Sequence, residues 1–146
     1  MFKITRRHYD KLIKQGYDNL PYETGGFLGG KDSTICAILP TFNKDWDETT
    51  DTFKIDGDDI LRAHTFFQKH NLSFFGVYHT HPEGIAYPSP ADINTGQKYH
   101  FIISYKDSRK PDFRVYQIIN REPKELPLKV LDKGFDVKDI QGSTES

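Results

Sequence analysis

Cysteine is nearly absent: Cys36 is the only one in 146 residues. A lone thiol closes no internal disulfide and removes every metal site that needs two or more thiolates, zinc fingers and the zinc-dependent base deaminases among them. Any metal must therefore be held by histidine and carboxylate. Long apolar runs are missing too. Stretches such as Phe101 to Ser104 last a few residues, whereas a bilayer span takes about 20, so no membrane crossing is expected. The opening Met-Phe-Lys-Ile-Thr-Arg-Arg-His lacks the apolar stretch and small-residue cleavage site of a secretory signal, and a cytoplasmic location is expected. An excess of one charge is also lacking. Twenty Lys and Arg against 21 Asp and Glu leave a net charge of -1, which gives no global electrostatic reason to bind nucleic acid. What remains, at 36% hydrophobic and 14% aromatic, is ample for the core of one compact domain.

Apolar positions Tyr9, Leu12, Ile13 and Tyr17 recur at helical spacing after Thr5, a candidate N-cap, and Pro21 stops the pattern. Gly25 to Gly30 then reads as a strand whose glycines allow close backbone approach. A further strand is expected over Ser33 to Leu39, ended by Pro40, then a polar loop from Phe42 to Asp51 holding Trp46, and a strand over Thr52 to Ile55. Asp56-Gly57-Asp58 opens a second helix carrying Ile60, Leu61, His64, Phe67 and His70 along it, closed by Asn71. Leu72 to Tyr78 is a continuous apolar and aromatic run of the kind that fills a strand buried on both faces. Ser89-Pro90-Ala91-Asp92 opens a third helix, expected to stop near Gly96. His100 to Tyr105 and Phe113 to Ile119 predict a hairpin, and Leu126 to Leu131 a last strand. About three helices and six or seven strands in mixed order predict an α/β or α+β fold around a mixed sheet. The domain is expected over residues 1–135, with a polar tail over 136–146.

The chemistry concentrates in His79-Thr80-His81-Pro82 and Ser89-Pro90-Ala91-Asp92. Residues two apart on a strand point to the same side, so His79 and His81 present two imidazoles to one point. Asp92, in the first turn of the next helix, adds a carboxylate. Two histidines and one aspartate suit one tetrahedral zinc whose fourth position is left for water, the arrangement of a catalytic site. Alternatives exist for each part taken alone: paired strand-end histidines are often solvated, and Asp92 alone suits the positive end of a helix. Ser89 is equally well explained as a helix N-cap.

The sequence resembles the JAMM metallopeptidases, or MPN-type isopeptidases. Their motif is a glutamate near an early strand, His-x-His-Pro, a short loop and Ser-x-x-Asp. Here Glu23 precedes the Gly25 to Gly29 segment, and the other two parts are those just quoted. The element order matches across essentially the whole chain. The resemblance implies a single MPN/JAMM-like domain of cytidine deaminase-like architecture. It also implies a zinc hydrolase that cuts amide or isopeptide bonds after the C-terminal Gly-Gly of a ubiquitin-like protein. His79, His81 and Asp92 would hold the zinc. Glu23 would be the general base, and Ser89 would stabilise the oxyanion. Spacing alone does not find Glu23, and its local competitor is Glu83, just after the motif proline.

Two segments, Phe42 to Phe53 and Lys106 to Asp112, lie where ubiquitin-specific members carry longer insertions and are short here. A small ubiquitin-like sulfur carrier, its fusion or its conjugate is therefore the expected partner. Its extended tail is expected to lie alongside exposed backbone of the Gly25 to Gly30 strand, unless those glycines serve to pack the opening helix. The other readings are a catalytically silent scaffold and a zinc peptidase for an unrelated peptide. His8, His64, His70 and His100 are read as surface or packing residues, Cys36 as a small buried apolar residue, and Trp46 and Tyr87 as aromatics flanking substrate loops. Nothing in the sequence sets the oligomeric state.

Overall fold

The computed structural model describes residues 1–41 and 55–131, so the expected loop over 42–51, most of the strand over 52–55 and the tail from 136 lie outside the described residues. The first element was not predicted: β1 (Phe2–Thr5) is a strand, and α1 (Arg6–Asn19) follows it directly, with the Thr5 side chain accepting from the His8 N–H. A short strand with only Phe2 and Ile4 pointing inward carries little pattern of its own. It exists because β3 (Thr34–Thr41) and β8 (Leu128–Leu131) pair with it in parallel on either side.

The remaining elements are β2 (Gly25–Lys31), α2 (Gly57–Lys69), β4 (Ser73–His81), α3 (Pro90–Ile93), β5 (Tyr99–Ser104), β6 (Asp112–Ile119) and β7 (Glu122–Leu126). All eight strands described form one mixed sheet in the order β7-β6-β5-β4-β2-β3-β1-β8. The single strand expected over Leu126 to Leu131 is two strands at opposite ends of this sheet, because Pro127 interrupts the ladder between them. The fold is α+β, with a few helices on a mixed sheet.

Helix α1 covers one sheet face, where Leu12, Tyr78, Phe101, Ile103 and Tyr105 form the larger core. Helix α2 covers part of the other through Ala63 and Phe67, which meet Phe27 and Val77. Burying Phe67 completely is worth roughly 1.5–3 kcal/mol. The buried stripe of α2 is Asp59, Ala63 and Phe67, while Leu61 is 66% exposed. Asp56 and Asp59 close a capping box that starts the helix.

Two expectations for the glycine strand are overturned. β2 has no exposed edge, since β3 and β4 are hydrogen-bonded along both sides of it. Nor do its glycines make room for the opening helix. A Cβ on Gly29 would lie 2.5 Å from Ser73 O and 2.7 Å from the Phe67 ring, and one on Gly26 would lie 2.2 Å from Leu39 O. The missing side chains let the neighbouring strands and α2 close in.

Candidate metal centre

β4 does not stop at Tyr78. It runs on to His81, because β5 pairs with it in parallel as far as His81 opposite Ser104, while Gly25 of β2 lies opposite His79. Both histidines therefore sit within the sheet, on the same face as Val77 and beyond the part of that face that α2 covers. Pro82 carries no N–H to extend the ladder. The chain then loops to α3, a helix of 4 residues that buries none of them and ends at Asn94, short of the expected Gly96.

The two imidazoles and the Asp92 carboxylate converge. His79 Nε2 lies 3.1 Å from His81 Nε2 and 3.1 Å from Asp92 Oδ1, and His81 Nε2 lies 3.8 Å from Asp92 Oδ2. Donors around a tetrahedral zinc, each about 2.0–2.1 Å from the ion, stand about 3.3 Å apart. The observed spacings bracket that value, and among the described residues this is the group of histidine and acidic side chains that could hold a metal ion. Two ring nitrogens and a carboxylate oxygen are also the borderline donor set that zinc takes.

Two of the three donors, His81 and Asp92, are oriented by a second contact. His81 Nδ1–H donates to Ile85 O at 2.8 Å, which leaves the Nε2 lone pair facing the other donors. The Ser89 N–H donates to Asp92 Oδ2 at 2.7 Å, and the Asp92 N–H donates to Ser89 Oγ at 3.3 Å, a capping box around α3. Without metal, burial raises the Asp92 pKa, but hydrogen bonds from His79 and His81 outweigh it and hold the carboxyl well below the usual range. Burial opposes protonation of His81. The Asp92 carboxylate, the Ile85 carbonyl and the Glu23 charge together overcome it and raise its pKa.

Glu23 arrives from far along the chain. Thr24 N–H donates to Thr80 Oγ1 at 2.9 Å, and Thr80 N–H donates to Thr24 O at 2.9 Å. This double clasp, across 56 positions, ties the residue after Glu23 to the middle of the His-Thr-His segment. Glu23, Glu83 and Ser89 line the same cavity of about 650 Å³ as His79, His81 and Asp92. Neither glutamate belongs to the donor cluster, and Glu83 is exposed whereas Glu23 is half-buried.

Sequence reasoning missed His100. It lines the cavity, is 1% exposed, and its ring centroid lies 6.4 Å from that of His79. Burial and the nearby His79 push its pKa down to about 4, so it is an uncharged wall of the site at neutral pH. The signal that could have found it is pairing. With β4 and β5 parallel, His100 falls opposite Val77 and shares the face of His79. Cys36 is buried, as its sequence position suggested, and Tyr87 is exposed with its ring against Tyr116. No described helix is long and apolar enough to cross a membrane.

The family described as prokaryotic homologs of the JAB domain matches residues 5–119. No curated protein matches the chain. Among solved structures, the chain is similar to protein DSY2949 from Desulfitobacterium hafniense, with a TM-score of 0.77 at 23% identity, covering 91% of this chain and 94% of that one. It is also similar to AF2198, a JAB1/MPN domain protein from Archaeoglobus fulgidus, with a TM-score of 0.58 at 19% identity over 90% and 98% of the two chains. A third structure, described as a JAMM metalloprotease-like zinc site in the proteasome and signalosome, matches with a TM-score of 0.57 at 20% identity over 90% and 99%.

Proposed function

The chain belongs to the family of prokaryotic JAB-domain homologs, and from that premise we propose that it is a zinc-dependent peptidase or isopeptidase acting after the C-terminal Gly-Gly of a ubiquitin-like protein, of the sulfur-carrier type. The observation that carries this reading is the convergence of His79 Nε2, His81 Nε2 and the Asp92 carboxylate at the spacing of tetrahedral donors. A JAMM metalloprotease-like zinc site in a protein of the same fold supports it.

His79, His81 and Asp92 would hold one zinc. Zinc bound there supplies a Lewis acid and an acidified water in its fourth position. Glu23, which lines the cavity next to the Thr24–Thr80 clasp, would take a proton from the attacking water. As the new C–O bond forms and the C–N bond breaks, it passes that proton to the leaving amine nitrogen. Ser89 accepts from the Asp92 N–H through an Oγ lone pair. Its own hydroxyl proton is left to donate to the substrate carbonyl oxygen as negative charge gathers there. With β2 enclosed by its neighbours, the substrate tail must reach the site from the ends of the strands rather than add along β2.

The test is zinc per chain after metal-free purification and addition of one equivalent, in wild type and His81→Ala, followed by cleavage assays on ubiquitin-like fusions. About one zinc in the wild type, little in the variant, and release of the fusion partner after Gly-Gly are the expected results. No zinc in the wild type would leave a partner-binding scaffold. Zinc binding without cleavage would leave a zinc peptidase for a different peptide.

A further inference from the structure

Three consecutive carbonyl groups in the loop after β4 each accept a hydrogen bond from a side chain on a different strand. Ser104 of β5 donates its hydroxyl to Gly84 O. The Nδ1–H of His81 on β4 donates to Ile85 O at 2.8 Å, and the Tyr116 phenol on β6 donates to Ala86 O at 2.6 Å. The outer two anchors are rooted in the sheet, with Ser104 at 4% and Tyr116 at 5% exposure. Ile85 is different: its side chain is 60% exposed, so packing does not fix where its carbonyl points. The Tyr87 N–H donates to that carbonyl at 2.9 Å, and the pinned carbonyls on either side complete its aim.

We propose that Tyr116 and Ser104 are positioning residues for His81: by pinning Ala86 and Gly84 on either side of Ile85, they hold the Ile85 carbonyl against His81 Nδ1. The inference rests on the zinc reading given above. A neutral imidazole divides between two tautomers and several ring orientations. A fixed acceptor at Nδ1 selects the tautomer with the Nε2 lone pair free and turns that lone pair toward Asp92 and His79. Tyr116 thus reaches the metal at third hand, through Ala86, Ile85 and His81. Its ring also packs with Ala86 and Ile102 in a small buried cluster, so removal of the hydroxyl alone leaves the apolar anchor in place. Deeper still, the register explains why these strands supply the clamps. Ser104 lies directly opposite His81, and Tyr116 opposite His100, so all four side chains face the cavity side of the sheet.

The experiment measures the zinc dissociation constant, by competition with a chromophoric chelator, and the visible spectrum of the cobalt(II)-substituted protein. Wild type, Tyr116→Phe and Ser104→Ala are compared, together with the Tm of each metal-free protein. Outer partners of metal-binding histidines are worth about 10–100-fold in affinity, and Tyr116→Phe, one step further out, is expected at the low end, about tenfold, with a shifted cobalt band. Ser104→Ala is expected to do the same and carries the test alone if Tyr116→Phe does not fold. A Tyr116 that only stabilises the fold would lower the metal-free Tm while leaving the zinc constant and the cobalt band at their wild-type values, and that result overturns the proposal. Wild-type protein that binds no zinc would overturn the proposal together with the zinc reading beneath it; wild-type protein that binds zinc as tightly as both variants would overturn the clamp alone.

Discussion

Ser89 and Asp92 hold each other across one turn: the Ser89 N–H is bonded to Asp92 Oδ2 and the Asp92 N–H to Ser89 Oγ. The same pair that starts α3 therefore sets the angle at which Asp92 turns its other oxygen toward His79 Nε2, 3.1 Å away. A device that elsewhere only caps helices here orients a candidate metal donor.

Substitutions at Ser89 can separate its two roles. Ser89→Ala removes the cap as well as the hydroxyl and is expected to cost about 1 kcal/mol of stability. Ser89→Gly keeps most of the capping geometry, within a few tenths of a kcal/mol, while losing the hydroxyl. With Ser89→Gly, kcat on a ubiquitin-like fusion is expected to fall about 10²-fold, the scale of one oxyanion donor, with Tm nearly unchanged. Activity that merely tracks Tm across the two variants would reduce Ser89 to a cap.

Glu23→Gln preserves shape and removes the base. Turnover is expected to fall by about 10² to 10⁴-fold, with one zinc still bound, while Glu83→Gln stays near wild type. Near-normal turnover in Glu23→Gln, measured alongside its metal content, would reject the assignment.

Acid should act on the metal-free protein through His100. Its folded pKa of about 4 lies below the ordinary 6.5, so between those values the unfolded chain takes up a proton that the folded chain refuses. Stability from this residue is complete above pH 6.5 and is lost as the pH falls toward 4. In urea unfolding from pH 6.5 to 4.5, His100→Gln should show a shallower loss than wild type, by at most about 1.4 kcal/mol per pH unit. Parallel slopes would count against a buried neutral His100.

Packing at β2 is testable with a pair of alanines. Gly29→Ala pushes a Cβ against the Ser73 carbonyl and the Phe67 ring, and overpacking of this kind costs about 1–3 kcal/mol. Gly57→Ala, at the first turn of α2 with nothing within 4 Å of the added carbon, should leave Tm unchanged or slightly higher. Thermal unfolding of both decides whether the glycines of β2 are there for contact.

Much of this was legible because it is local. Thr5 and Asp56 cap their helices through bonds three residues away, and the His79-Thr80-His81 alternation needs only a strand to place both rings on one side. What stayed hidden depends on pairing across the sheet. Glu23 reaches the cavity through the Thr24–Thr80 clasp that continues the β2–β4 ladder, and His100 faces the cavity through the β4–β5 register. β1 is a strand because two others flank it. The expected free edge on β2 failed for the same reason: glycine content marks close approach, and only the sheet order says that strands, rather than a ligand, make that approach.

The three donors differ in how firmly the fold holds them. β4 is laddered to β2 up to His79 and to β5 through His81, whereas Asp92 rides on a single turn with no buried residue. Local opening costs least where few buried contacts must break. The two imidazoles therefore form the firmer part of the seat, and the carboxylate is the donor expected to open first. Metal exchange should accordingly run at the rate at which the 89–93 turn lifts away, far faster than global unfolding. Zinc loading should slow amide hydrogen exchange at Asp92 while leaving the amides of β4 as they were.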